Sequence, residues 1–224
     1  MNFQKYIAKL SPENLIINLQ SKSMAEDICA TIDQDDFFAL RKACKGKQHL
    51  MDFKYFNFEP WIRENVRRAL KLGILQRRHI SILDIGTGFG YFPYVCNCWH
   101  GHTVKAIDIE GQILYDAVTD FLGIDKKHYS IKKFEPMESL GTKFDLITCF
   151  LVAFDRPSVE EIWGPAEWDF FIKDMKENHL TDTGEIFLRL NPIPRVNGWY
   201  LPGVDAIFKK HGAKVRAAEV RIRK

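Results

Sequence analysis

Short apolar segments alternate with helical segments from residue 79 to residue 224, and this alternation constrains the fold more than any other feature. Strands are predicted at residues 80–83, 103–107, 129–132, 144–150 and 185–190, with a last one within 214–222. Helices are predicted between them, at residues 112–122, 165–180 and 204–211. Strands and helices that alternate in this way form βαβ units, whose parallel sheet is covered by helices on both faces. The sequence therefore predicts an α/β fold with a doubly wound, mostly parallel sheet of six or seven strands.

The first 78 residues have a different pattern, with helical periodicity and no convincing strand. Ser11 and Pro12 are typical of a helix start, a second helix is predicted at 33–44, and a third begins near Pro60. We therefore expect an N-terminal helical cap at residues 1–78 and a sheet domain at residues 79–224. Only residues 212–224 follow the last predicted helix, so the sequence leaves open whether a seventh strand is present.

Composition restricts the setting in which the protein works. The chain has 224 residues, 46% of them hydrophobic, and a net charge of +3, which is too small to predict nucleic acid binding by itself. It has no apolar signal core near its start and no apolar run long enough to cross a membrane. The five cysteines, an odd number, are expected to be free thiols. These features predict a cytoplasmic protein without a membrane partner.

The turn after the first predicted strand carries the chemistry. It reads Leu-Asp-Ile-Gly-Thr-Gly-Phe-Gly-Tyr from Leu83 to Tyr91, and its glycines allow a sharp turn and the close approach of a ligand to the backbone. The dinucleotide fingerprint would place a glycine at Tyr91, and the Gly-Lys-Ser/Thr ending of a P-loop is also absent. The carboxylate of Asp84 would repel a pyrophosphate but attract a sulfonium or an ammonium group. Asp108, after the second strand, can accept both ribose hydroxyl hydrogens, so the turn predicts a cationic nucleoside ligand.

This stretch resembles the first motif of the class I, Rossmann-like S-adenosylmethionine-dependent methyltransferases. That motif is D-x-G-x-G-x-G after strand one, with an acid after strand two, and the matching residues are Asp84, Gly86, Gly88, Gly90 and Asp108. Residues 143–147 and 183–188 resemble the fourth and fifth strands of the family. The resemblance implies S-adenosylmethionine as the cofactor and methyl transfer as the activity. We interpret the acceptor as a small molecule and expect no metal. Methylation of RNA or protein, and cofactor binding without catalysis, remain alternatives, so nucleic acid stays an alternative partner.

The resemblance also implies which residues contact the cofactor. Gly86 to Gly90 would pass beneath the methionine part, Asp108 would hold the ribose, and Ile109 would pack on the adenine. The loop after strand three would border the adenine edge, and the end of strand four would lie near the sulfonium. The complete set is Asp84, Gly86, Thr87, Gly88, Gly90, Asp108, Ile109, Glu135, Pro136, Met137, Phe150 and Leu151. No catalytic residue is identified.

Four other features have two interpretations each. Asp155 is either an acid or base for the substrate or a turn residue before Arg156 and Pro157, and the turn is favoured. Trp163 and Trp168 either line an acceptor pocket, closed further by the N-terminal helices, or pack in the core. The basic stretches 42–47 and 63–71 either contact phosphates or form solvated helix faces.

Metal binding is the fourth case. Cys96, Cys98, His100 and His102 include metal-ligating residue types, but the first three lie in or near the helix after the glycine turn. Alternate residues of a helix point about 200° apart, so these side chains are not expected to converge on one ion.

Overall fold

The computed structural model describes residues 12–46, 52–152, 154 and 162–224. Within these residues seven strands form one sheet. The strands are β1 (Ser81–Ile85), β2 (Thr103–Asp108), β3 (Lys126–His128), β4 (Phe144–Phe150), β5 (Leu180–Arg189), β6 (Lys214–Arg216) and β7 (Glu219–Arg223). Their order is β3-β2-β1-β4-β5-β7-β6, and β7 runs antiparallel to both β5 and β6 while the other pairs are parallel. The doubly wound, mostly parallel sheet is therefore confirmed, and the chain has a seventh strand in an edge hairpin.

The third strand is not where the sequence predicts it. It lies at Lys126–His128, before the predicted residues 129–132, and pairs with Ala106 to Asp108 of β2. Its residues are two lysines and a histidine, which have no strand preference. A short, charged strand is nevertheless typical of a sheet edge, where it prevents pairing with other chains. The free edge beside β2 therefore outweighs local strand preference. This is why the sequence predicts the strand a few residues too far along the chain.

The fifth strand is longer than predicted and begins at Leu180 rather than at residue 185. Gly184 allows this strand to pass close to β4, because a Cβ at that position would lie 2.8 Å from the carbonyl oxygen of Phe144. The preceding helix ends at Asp174 and continues as one π-helical turn, Met175–His179. The sheet centre is mainly apolar, as is typical of parallel strands. Its completely buried residues include Ile82, Leu83, Leu146, Ile147, Ile186 and Leu188.

The helices of the described residues are α1 (Pro12–Cys29), α2 (Gln34–Ala43), α3 (Phe58–Lys71), α4 (Tyr91–Asn97), α5 (Ile113–Phe121), α6 (Pro165–Asp174) and α7 (Val204–Lys210). The chain forms two compact units, and all seven strands belong to one of them, together with α6 and α7. This sheet unit comprises residues 80–87, 103–110 and 125–224. The boundary at residue 78 stays a prediction.

The other unit is helical and comprises residues 1–79, 88–102 and 111–124, of which 12–46 and 52–79 are described in its first part. Aliphatic and aromatic side chains form its core, and the aromatic ones contact each other. The ring of Phe37 contacts the rings of Phe56, Phe58 and Phe121 at centroid distances of 5.8, 5.0 and 5.4 Å. Helices α4 and α5 follow β1 and β2 in the chain but belong to this helical unit.

Helices α6 and α7 are joined by a carboxylate that accepts hydrogen bonds from two side chains. Asp169 of α6 accepts hydrogen bonds from Lys210 Nζ at 2.8 Å and from His211 Nε2 at 2.7 Å. The hydrogen bond from Lys210 is the main reason that the pKa of Asp169 lies below its usual value. A depressed carboxyl pKa stabilises the folded state above the unfolded pKa of about 3.9, and this stabilisation is lost as the pH falls through the folded value.

We therefore expect the substitution Asp169→Asn to lower stability at pH 7 by about 0.2–1 kcal/mol, the range for partly exposed ion pairs. In thermal unfolding, the difference from the native protein should shrink as the pH falls below about 3.9 and through the folded pKa of Asp169. Asp205→Asn is the control, since Asp205 makes an exposed 3.4 Å contact with Lys209 and its loss should leave the melting temperature unchanged at each pH. A penalty for Asp169→Asn that stays constant while the pH falls through this range would show that the carboxylate charge is not its cause.

Candidate functional site

Asp84 lies near the end of β1 with its carboxylate enclosed by the sheet. It is 2% exposed, and Thr148 of β4 donates a 2.7 Å hydrogen bond to its Oδ1 atom. The parallel pairing of β1 and β4 places the two residues opposite each other. A buried carboxyl group is costly unless it is hydrogen-bonded, so this bond offsets part of the cost of burying Asp84 just before the glycine turn.

The glycine turn has a backbone that other residues rarely adopt. Gly86, Gly88 and Gly90 have φ values of +70°, +57° and +74°, in the left-handed region that favours glycine. A Cβ at Gly86 would lie 2.7 Å from Val152 Cγ2, and one at Gly90 would lie 2.8 Å from Thr119 Cγ2. A Cβ at Gly88 would have no atom within 4 Å. Packing therefore explains two of the glycines, whereas Gly88 adjoins open space, as expected where a ligand approaches the backbone.

Thr87, between the first two of these glycines, has an unsatisfied polar group. Its Oγ1 atom is buried and has no hydrogen-bond partner among the described residues. Its backbone N–H points into the sheet and donates to Ile107 O at 3.3 Å, beside the 2.8 Å bond from Gly86 N to the same oxygen. Buried hydroxyl groups in proteins are nearly always hydrogen-bonded, so the unsatisfied hydroxyl of Thr87 fits a turn that binds a polar ligand group.

Asp108 ends β2, the strand next to β1, and is only partly buried. Its Oδ1 atom accepts a 2.8 Å hydrogen bond from the N–H group of Ile109, which orients the carboxylate. The side chain of Ile109 is 48% exposed. A fixed carboxylate beside an exposed apolar side chain suits a ribose that carries a planar base.

The end of β4 lies at the same edge, because the carboxyl ends of parallel strands meet there. Phe150 is partly buried against Phe187, at a centroid distance of 5.7 Å. Leu151 is 36% exposed and has a φ of +57°. A branched residue with positive φ is strained, and such strain concentrates at functional sites. Its N–H group donates a 2.7 Å bond to Arg189 O, which holds the residue in this conformation.

Of the three predicted cofactor residues in the loop after β3, two are exposed and one is buried. Glu135 and Pro136 are exposed, and Glu135 forms an exposed 3.4 Å ion pair with Lys132. Met137 is buried in the core of the sheet unit. Of the predicted cofactor residues, the structure brings seven together at the carboxyl ends of β1, β2 and β4, and three more follow β3. The seven are Asp84, Gly86, Thr87, Asp108, Ile109, Phe150 and Leu151; Gly88 and Gly90 continue the turn after Thr87.

Sequence reasoning missed Thr148 and Val152, the residues that fix Asp84 and close the space at Gly86. The strand register supplies the missing information for Thr148, since it lies opposite Asp84. No local pattern marks Val152, which follows β4 and contacts the turn only after folding.

The two tryptophans form part of an aromatic cluster. Trp163 and Trp168 are buried, and the Trp163 ring stacks on Phe154 at a centroid distance of 4.2 Å. A cavity of about 10 Å³ lies beside Trp168, between the ends of β4 and β5, with room for about one water molecule. This geometry supports packing rather than an acceptor pocket for these side chains. Asp155 and its neighbours 156–161 lie outside the described residues, as do Ser11 and Lys47.

The described residues also bear on metal binding and on the basic stretches. In this part of the chain, no group of three or more histidine, cysteine or acidic side chains is placed to hold a metal ion. Arg67 and Arg68 of the basic stretch 63–71 lie 3.6 and 3.9 Å from Glu64 on the same helix, and their side chains are 31% and 17% exposed, so they are partly buried ion pairs rather than a fully solvated face. None of the helices described is long and apolar enough to cross a membrane.

Comparisons with known proteins agree with this fold. No protein-family model matches the chain, and no curated protein matches it in sequence. The solved structure of DesVI from Streptomyces venezuelae is similar over 86% of this chain and 98% of its own length, with 11% identity and a TM-score of 0.54.

Two further solved structures have TM-scores below 0.5. An S-adenosylmethionine-bound amino pentose methyltransferase from Micromonospora echinaspora, involved in calicheamicin biosynthesis, matches with 20% identity, 58% coverage of this chain and a TM-score of 0.44. The chain spans 50% of that structure, about half its length. A ribosomal protein methylase from Lactobacillus delbrueckii matches with 16% identity, 72% and 77% coverage and a TM-score of 0.46. The strand order and the likeness to DesVI together show that this chain has the fold of the class I, Rossmann-like methyltransferases.

Proposed function

We propose that the protein is an S-adenosylmethionine-dependent methyltransferase. The observation that carries the proposal is the arrangement at the end of β1. There a buried carboxylate, Asp84, precedes a left-handed glycine turn, and a second carboxylate, Asp108, lies at the end of the adjacent strand. The buried Oγ1 of Thr87, which has no partner among the described residues, supplies a polar group for the ligand.

The charges of these groups support S-adenosylmethionine over a dinucleotide. Asp84 carries its charge before the turn, where a pyrophosphate would be repelled and the α-ammonium of a methionine group would be attracted. Asp108 would accept from the ribose hydroxyls, and the exposed Ile109 would cover one face of the adenine. The exposed Leu151 would border the sulfonium. We therefore propose the twelve residues predicted from the sequence as cofactor contacts.

The protein's part in the chemistry would be to bind and orient. S-adenosylmethionine supplies an activated methyl group when it is bound, and transfer requires the accepting atom to lie in line with the methyl carbon. Proximity and orientation of this kind account for a large part of the rate of such reactions. The strained, exposed Leu151 and the half-buried Phe150 are the described residues best placed to border the methyl group.

We further propose a small-molecule acceptor and a cytoplasmic location. The small net charge of +3 and the paired arginines of α3 support a small molecule over RNA. The thiols of Cys29, Cys44, Cys96 and Cys149 are buried and unbridged, that of Cys98 is exposed and unbridged, and such thiols are typical of a reducing compartment.

Calorimetry tests the cofactor directly. We expect S-adenosylmethionine and S-adenosylhomocysteine to bind with micromolar affinity in the presence of a metal chelator, and NAD to give no signal. Tight NAD binding without a response to either methionine nucleoside would overturn the proposal.

Methyl transfer is tested separately. The protein is incubated with methyl-labelled S-adenosylmethionine and, in parallel, with a small-metabolite fraction, total RNA and total protein. Label in the metabolite fraction alone would support a small-molecule acceptor, whereas label in RNA or protein would replace it. Cofactor binding without transfer in any fraction would favour a non-catalytic binding domain.

A further inference from the structure

The loop after β3 is held at Met137 by side chains from the region before β5. The N–H group of Met137 donates a 2.9 Å hydrogen bond to Asp174 Oδ2, and the carbonyl oxygen of Met137 accepts a 3.2 Å bond from His179 Nε2. Both backbone polar groups of Met137 are thus bonded to one pair of side chains, Asp174 and His179. We call these two residues the clamp pair.

The clamp pair exists because the helix before β5 changes its geometry. Asp174 is the last residue of α6, and His179 ends the π-helical turn Met175–His179. Residues five apart on an α-helix point about 140° away from each other. A π-helical turn bonds residues i and i+5 and brings them to the same face, and such turns are frequent at functional sites. Here it brings His179 Nε2 within 3.7 Å of Asp174 Oδ2.

Both side chains of the clamp pair are buried, and their burial costs folding free energy. Asp174 is 7% exposed and His179 is 2% exposed, and burial lowers the pKa of the imidazole below its usual value. A neutral imidazole with its proton on Nε2 can donate to Met137, while Asp174 receives a further 2.8 Å bond from Asn178 Nδ2. Burial of a carboxylate is unfavourable even when it is hydrogen-bonded. An apolar contact would anchor a loop at lower cost, so the arrangement favours a role that requires accurate placement of the backbone.

The next residue connects the loop to the end of β2. The N–H group of Glu138 donates to the hydroxyl of Tyr129 at 3.2 Å, and the N–H group of Tyr129 donates to the carbonyl of Asp108 at 2.8 Å. Glu138 also forms an ion pair with Lys127 of β3. Tyr129 therefore links the loop to the end of β2, where Asp108, the proposed ribose ligand, lies; the nucleobase is attached to that ribose.

The exposed part of the loop is strained. Phe134 has a φ of +58° and is 53% exposed, with its ring 5.9 Å from that of Phe170 on α6. A bulky residue keeps a positive φ only where its surroundings enforce it.

We infer that Asp174 and His179 are positioning residues for the nucleobase of the bound cofactor. They hold the backbone of Met137 so that residues 134–136 form a fixed wall for the adenine beside Asp108. This inference rests on the proposed function, because the base is placed by the ribose at Asp108.

The test compares ligands that differ only in the base. S-adenosylhomocysteine and S-inosylhomocysteine are titrated into the native protein and the Asp174→Leu variant at a temperature where both are folded. We expect Asp174→Leu to weaken the binding of S-adenosylhomocysteine about 10-fold, the size of effect that the loss of about one hydrogen bond has on Kd. The preference for adenine over hypoxanthine should fall towards one. Asp174→Asn keeps an oxygen acceptor for the N–H group of Met137. This variant should retain most of the affinity for S-adenosylhomocysteine and most of the preference for adenine.

Asp145→Leu is the matched control. Asp145 is a carboxylate of the same size that bonds Ser81 and Thr181 near the amino ends of the strands. The variant should lower the melting temperature and leave the base preference unchanged. If Asp174→Leu does not fold, the same titrations of His179→Gln decide.

Each outcome has a separate meaning. Unchanged affinity and unchanged base preference in a folded clamp-pair variant would overturn the inference. An equal loss of affinity for both ligands, with the preference for adenine unchanged, would also overturn the inference. It would show that the clamp pair has only a structural role. Failure of the native protein to bind either ligand would instead contradict the proposed function.

Discussion

Gly88→Val is expected to abolish measurable binding of S-adenosylmethionine while the fold persists. Gly88 has a φ of +57°, and no atom lies within 4 Å of the position that its Cβ would occupy. The new side chain therefore meets no protein atom there, and the folded state bears mainly the cost of a left-handed backbone, about 1–2 kcal/mol. The branched side chain would fill the space that the proposed ligand needs and would shift the turn backbone. We expect a loss of affinity of more than about 100-fold, or about 2.8 kcal/mol.

Gly212→Val is the matched control for this variant. Gly212 follows α7, has a φ of +75° and also has no atom within 4 Å of a built Cβ. Both variants should lower the melting temperature by similar amounts, but only Gly88→Val should lose the cofactor. Calorimetry and circular dichroism separate the two effects. Undiminished binding by a folded Gly88→Val protein would show that the turn is not the cofactor site.

Asp108→Ala is expected to weaken the binding of S-adenosylmethionine by about 1.5–3 kcal/mol, the range for hydrogen bonds to a charged group. This corresponds to an increase in Kd of about 10- to 160-fold. The carboxylate would otherwise accept from the ribose hydroxyls, and its orientation is fixed by the 2.8 Å bond from the N–H of Ile109. The Kd of S-adenosylhomocysteine should increase by the same factor, because the two ligands share the ribose.

Two comparisons make this result specific. Methionine alone lacks the ribose, so its weak binding should be unaffected by Asp108→Ala. Asp182→Ala removes a fully exposed carboxylate that lies 3.5 Å from Lys224, and this change should leave all affinities as they are. Equal weakening by Asp182→Ala would mean that overall charge, rather than a ribose contact, controls affinity.

The sequence by itself determines those strands and turns whose residue pattern lies within one short segment. The first, second and fourth strands are largely apolar runs, and the turn after β1 has glycines where its backbone has positive φ. These features depend on neighbouring residues, so the carboxyl-edge positions of Asp84 and Asp108 follow from the sequence once the strands are recognised. The parallel sheet follows from the alternation of strands with helices.

The tertiary structure decides the features that depend on distant partners. β3 forms from charged residues because an edge next to β2 is available, and β6 and β7 form a hairpin because β7 pairs with β5. Thr148 bonds Asp84 across 64 residues of sequence, and Asp174 bonds Met137 across 37. Side chains so far apart meet only when strand register and the π-helical turn place them together, and no local preference encodes that meeting. The residues that make up the proposed cofactor edge were therefore determined by the sequence, whereas the contacts that hold them in place were decided by the fold.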